Sequence, residues 1–160
     1  MYRDGYSNFG FFNAVQPRDV TAGAVNIAGD TIDARGYDSL VFIVALGLVS
    51  YVSTASYILF RMQHASESAA GIDAWADVPL ENMIFSGVSA YTSNSGAFLS
   101  ICPAAAALSA SQGSTQHAVG YRGNKRYVRL YVSSVSTPGS WAFGAVAVLG
   151  QPPLWPVNAT

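Results

Sequence analysis

The chain predicts an all-β fold: a single-domain antiparallel β-sandwich, jelly-roll-like, with an extended N-terminal arm and a Pro-rich C-terminal tail. Three observations point there. Several short segments alternate apolar and polar residues, almost no stretch keeps a helical period, and the segments are parted by turns drawn from 15 Gly, 7 Pro and many Ser. No internal repeat and no second domain boundary is visible. The predicted division is an arm over residues 1–21, the sandwich over 22–150 and an extended tail over 151–160.

Residues 1–21 read as an arm because Gly, Asn, Asp and Pro fall at irregular spacing around the aromatic cluster Phe9, Phe11 and Phe12. Aromatics on such a segment need cover, either from their own domain or from a neighbouring subunit, and the neighbour is the favoured reading. Val25 and Ile27 mark a short strand. The polar stretch 30–38 holds a turn at Gly36, and Asp33 is expected to pair with Arg35. Residues 40–46 are continuously apolar, as in a strand buried on both faces. Residues 57–64 alternate, with Ile58, Phe60 and Met62 on one face and Tyr57, Leu59, Arg61 and Gln63 on the other. Short strands are expected at 75–78 and 83–85, broken by Pro79.

Residues 86–116 are Ser, Ala, Gly and Asn without a sustained period. They read as a long contact loop with a helical turn or two starting at Pro103. Residues 119–132, VGYRGNKRYVRLYV, read as a β-hairpin turning at Arg122-Gly123-Asn124-Lys125. In its second strand Val128, Leu130 and Val132 share one face; Tyr127, Arg129 and Tyr131 share the other, where Arg129 is placed to stack on a tyrosine ring. Residues 142–149 form a last strand. The tail Gln151-Pro-Pro-Leu154-Trp155-Pro cannot extend a ladder, since proline lacks the donor.

Composition narrows the function. Charged residues are 11 % of the chain and the net charge is −1, against roughly 25 % charged residues in ordinary soluble domains. So few charges favour association, which suits a subunit covered by copies or partners. Near-neutrality argues against bulk nucleic-acid binding. Cys102 is the only cysteine, so no intrachain disulfide forms. Residues 1–12 lack the apolar core and cleavage site of a secretory leader. The uncharged stretch 39–60 is long enough to span a bilayer, but Ser50, Ser53, Thr54 and Ser56 divide it, and two strands joined by a Ser/Thr loop fit better.

The cations are gathered on 122–129: Arg122, Lys125 (the only lysine), Arg126 and Arg129. They read either as a contact with an acidic partner surface or as a solvated turn. Asp30, Asp33 and Asp38 lack the ligand density of a calcium loop, and a turn cap is preferred. His64 and His117 sit in no triad or zinc spacing and are placed at surface or interface positions. No nucleophile elbow, P-loop or HExxH is present, and no carboxylate pair has a hydrolytic spacing. The expectation is a non-enzyme without cofactor or metal.

Three segments together carry a resemblance: Ile32-Asp-Ala-Arg-Gly-Tyr-Asp-Ser-Leu-Val-Phe42, then Val119-Gly-Tyr-Arg-Gly-Asn-Lys-Arg-Tyr-Val-Arg129, then Ala145-Val-Ala-Val-Leu-Gly150 before the Pro-rich tail. In order and spacing they resemble a family of small tailed-bacteriophage virion proteins, usually encoded near the major capsid protein. About a third of the chain is covered; the Ala/Ser/Gly-rich middle, 66–114, is not. The resemblance implies a capsid decoration or cement protein, a homotrimer on the outer surface of the virion that binds the major capsid protein and stabilises capsomer joints. Assembly would take place in the bacterial cytoplasm. The alternative is a head–tail connector or tail structural protein. Under the first reading Phe9, Phe11 and Phe12 of the arm and Leu154 and Trp155 of the tail clamp neighbours, and Arg122, Lys125, Arg126 and Arg129 touch the shell.

Overall fold

A computed structural model of the chain describes residues 9–21, 23–50, 52–53, 55–85, 97–101 and 115–150. The fold is all-β with antiparallel pairing, and the strands run in two principal sheets. Sheet A has the order β1-β13-β4-β11-β9, from β1 (Phe9–Val20), β13 (Trp141–Gly150), β4 (Ser39–Val49), β11 (Thr115–Tyr121) and β9 (Met83–Phe85). Sheet B has the order β10-β5-β12-β2, from β10 (Ala97–Ile101), β5 (Tyr57–Ala65), β12 (Tyr127–Val135) and β2 (Asn26–Ala28). On its flanks β3 (Ile32–Asp33) pairs with β12 and β8 (Ala76–Asp77) with β5. A small hairpin joins β6 (Glu67–Ser68) to β7 (Gly71–Ile72).

One apolar core lies between the sheets. Phe42, Val44 and Leu149 come from sheet A; Ile58, Phe60, Met62, Val128, Leu130 and Val132 come from sheet B. Phe60 is its centre, meeting Trp141 and Phe143 edge-on at 6.2 and 5.7 Å, with Phe98 6.4 Å away. The period-two pattern explains these assignments: Ile58, Phe60 and Met62 of β5 and Val128, Leu130 and Val132 of β12 are apolar and fully buried, while Arg61, Gln63, Arg129 and Tyr131 between them are partly exposed.

The structure corrects several expectations. Residues 9–20, expected as an irregular arm, form a 12-residue strand paired along β13. Two register shifts, between Asn13 and Val15 and between Val15 and Arg18, break its alternation and so hide it in the sequence. The run 40–46 is not buried on both faces. Leu40, Phe42, Val44 and Leu46 point into the core, whereas Ile43 and Leu48 are 36 % and 64 % exposed. Within the stretch expected as one loop, 97–101 is strand β10 and β11 begins at Thr115. The postulated helical turn at Pro103, Cys102, and the tail with Leu154 and Trp155 lie outside the described residues.

The expected hairpin over 119–132 is also absent. β11 belongs to sheet A and β12 to sheet B, so residues 122–126 form an arch between the sheets. Val119 and Tyr121 on one side, and Val128 and Leu130 on the other, all bury toward the shared core, which requires their strands to face each other across it. No helix among the described residues is long and apolar enough to cross a membrane.

Candidate functional surfaces

The arch is built around Tyr121, the last residue of β11. Its hydroxyl accepts the Lys125 backbone N–H at 3.0 Å and lies 3.0 Å from His64 Nδ1 on β5. Gly123 packs against the ring, where a Cβ would fall 2.4 Å from the Tyr121 oxygen, so any larger residue must displace the phenol. Burial pushes the Tyr121 phenol above its ordinary value, opposed by the Lys125 amide. Burial pushes His64 below the usual histidine value, and the nearby Lys125 charge adds to this. A neutral His64 can accept the Tyr121 proton through Nδ1, so the hydrogen bond and the lowered affinity for protons agree.

The four cations of 122–129 do not act as one patch. Arg126 reaches back to Asp33, with Nε at 3.0 and 3.1 Å from the two carboxylate oxygens and Nη2 at 2.7 Å from Oδ2, and its Nη1 contacts Glu67. These hydrogen bonds, Asp33 foremost, raise the Arg126 value, and the same Arg126 contact lowers that of Asp33 against the effect of partial burial. The expected Asp33–Arg35 pairing is therefore a backbone contact only, Arg35 N–H to Asp33 Oδ1 at 3.0 Å. Arg129 stacks on Trp75 at 4.2 Å rather than on a tyrosine, because the 75–77 segment folds over that face. Its Nε and Nη2 both donate to Gln63 Oε1, at 3.0 and 2.9 Å. Lys125 Nζ donates to Ser66 Oγ at 2.8 Å. Arg122 makes no ion pair among the described residues. It lines a cavity of about 640 Å³ at the arch together with Arg35, Lys125 and Asp38, over an apolar floor of Tyr37, Leu40, Val41 and Ile84.

The two outward faces of the sandwich differ in kind. On sheet B, Arg129 lies opposite Gln63, and Tyr131 opposite Arg61. Gln63 donates to Asp77 at 3.0 Å and Arg61 pairs with the same Asp77 at 3.6 Å. That face is a linked polar network suited to water. On sheet A the register lines up Phe11, Val148, Val41, Gly120 and Ile84 in one row, and Asn13, Val146, Ile43 and Ala118 in the next. A third row holds Gly144, Ala45 and Gln116. None of these residues is charged. Phe11 is 61 % exposed, Ile84 55 % and Val146 44 %. Pro17 folds over Gly144, where a Cβ would lie 3.1 Å from the proline ring, so the surface stays smooth there.

Phe9, Phe11 and Phe12 therefore remain largely uncovered within one copy of the chain, with Phe9 and Phe11 at one edge of this face. The sequence reading found these aromatics but missed the sheet face, because an outward-facing apolar strand and a fully buried one have the same residue types. A signal was available: β4 and β13 replace the expected polar alternates with Ala, Gly, Val and Ile throughout, and β11 does so at Ala118 and Gly120. No family model, no curated protein and no solved structure matches the chain.

Proposed function

We propose that the protein is a structural subunit of a bacteriophage virion. In detail it is a homo-oligomeric decoration (cement) protein with a jelly-roll-like sandwich, which binds the outside of the major capsid shell and reinforces the joints between capsomers. The observation that carries this reading is the contrast between the two faces: a charged, hydrogen-bonded face on sheet B and an uncharged apolar face on sheet A. Monomers rarely leave such a continuous apolar surface in water, and surfaces of this kind mark contact sites. The resemblance of residues 32–42, 119–129 and 145–150 to phage virion proteins supplies the setting.

In this role the arch supplies the polar contact with the shell. Arg122 and Arg35 stand together at the arch, where acidic side chains of the capsid protein would pair with them. Added buried area at a capsomer joint resists the outward pull of packed DNA, because opening the joint would return that area to water.

Copy number per particle, measured by quantitative mass spectrometry of purified virions, tests the reading. Copies on the order of hundreds are expected, since only the icosahedral lattice repeats that often. A dozen or fewer would assign the chain to the connector or tail, and absence from the particle would overturn a virion role.

A further inference from the structure

We infer that the uncharged face of sheet A is a two-fold interface with a second copy of this chain. The inference rests on the subunit reading above only for its setting; the argument is geometric. β4 is the middle strand of the sheet, flanked by β13 and β11. Ile43 has Val146 on one side and Ala118 on the other; Val41 has Val148 and Gly120. One flank is thus raised by valines and the other is hollowed by alanine and glycine at the same heights.

A two-fold axis lying between two such faces and running along β4 sets β13 of one copy over β11 of its partner. Val146 then fills the hollow over Ala118 and Val148 that over Gly120, once in each direction, while the two Ile43 side chains meet at the axis. Aligned sheets pack about 10 Å apart at roughly −30°, which the relief of these side chains allows. The contact is isologous, so it closes at two copies instead of propagating.

Charge and area favour the same partner. The three rows carry no charge, and Asp19 enters this face only in the row beyond them, opposite Ala142, so the ions of a charged partner would be desolvated over these rows without meeting an opposite charge there. The matching uncharged face on the page belongs to this chain. Strands about 4.8 Å apart with a rise of about 3.4 Å per residue give the five strands a projected patch of roughly 500 Å². Two such patches together bury roughly 1,000 Å², the size at which a well-matched interface becomes stable. Phe11, at the β1 edge, closes the rim.

The test is the mass of the full-length protein by sedimentation equilibrium and light scattering across micromolar concentrations, for the native chain and for Ile43→Arg. The expected result is two copies for the native protein. Ile43→Arg, which sets like charges against each other at the axis, raises the dissociation constant by about a hundredfold or more with an unchanged circular-dichroism spectrum. A second pair guards against misfolding: Val146→Glu and Ala118→Lys, each weakened alone, form a heterodimer when mixed.

A native monomer overturns the inference, and so does a dimer that Ile43→Arg leaves intact. A trimer, as the family resemblance implies, also overturns the two-fold arrangement. If Ile43→Arg instead unfolds a monomer, another segment of the same chain covers the face. None of these outcomes changes the copy number per virion, so the two proposals fail separately.

Discussion

Tyr121 Oη and His64 Nδ1 lie 3.0 Å apart, their rings meeting edge to face at 86°. The contact ties the end of β11 in sheet A to β5 in sheet B, at the point where the chain crosses between the sheets. Both groups are pulled away from their ionised forms by burial. The arch is therefore a place where protonation and folding are linked.

The first prediction concerns pH. His64 and His117 both have folded values below the ordinary 6.5 because burial disfavours the charged ring. The unfolded chain then binds protons more readily, so their contribution is complete above about pH 6.5 and is lost as pH falls through the lowered folded values. Asp33, lowered from 3.8 chiefly by Arg126, adds a separate loss below that value. Thermal melts between pH 8 and 3 should show Tm falling in two stages. His64→Gln should flatten the upper stage and leave the lower one; an unchanged upper stage would show that His64 does not contribute.

The Gly123→Ala substitution tests the arch itself. The new methyl would strike the Tyr121 phenol, and relief by displacing that ring should cost about 1–3 kcal/mol in urea unfolding. The His64 pKa, followed by NMR, should rise toward 6.5 as the Tyr121 contact opens. Gly36→Ala gives a contrast: nothing lies within 4 Å of its added Cβ, and any cost comes from its φ of +88° alone.

Phe60 and Phe11 should behave oppositely. Phe60 is fully buried among Phe98, Trp141 and Phe143, so Phe60→Ala should lose about 3–5 kcal/mol. Phe11 is 61 % exposed, so Phe11→Ala should change the stability of a single copy by less than about 0.5 kcal/mol. A large loss at Phe11, measured well below any association range, would mean that the ring is covered within its own chain.

Arg126 bridges Asp33 and Glu67 at a partly exposed site. Arg126→Gln should destabilise the fold more at low ionic strength than near about 1 M salt, where exposed pairs are screened. A double-mutant cycle with Asp33→Asn should give a favourable coupling that shrinks with salt. A salt-independent coupling would show that packing of the side chain on Tyr127, 4.8 Å away, matters more than charge.

The sequence made some of this legible and concealed the rest for identifiable reasons. β5 and β12 were readable because they alternate, with Ile58, Phe60 and Met62, or Val128, Leu130 and Val132, on the core side, and β13 because it is an unbroken run of small and aliphatic residues closed by Gly150. Period two identifies a strand but not its sheet, which is why the 122–126 connection read as a hairpin. β1 was hidden by its bulges, and β10 by the Ala/Ser/Gly-rich stretch that surrounds it. The basic residues stood out as a cluster in one dimension. In three dimensions Arg126 and Arg129 turn to partners 93 and 66 positions away, and no local spacing reports such contacts.

The pairing of β1 with β13 sets a clock on folding. The edge strand of sheet A is made first, yet its only described partner strand begins at Trp141. At synthesis rates of about 5–20 residues per second, β1 waits on the order of ten seconds before that partner emerges. Closing so long a loop is entropically slow, and until it closes the Phe9–Phe12 segment and the edge of β4 lie open to other nascent chains. A chaperone that shields β1 during this interval would raise the yield of folded chains without changing the stability of the finished fold.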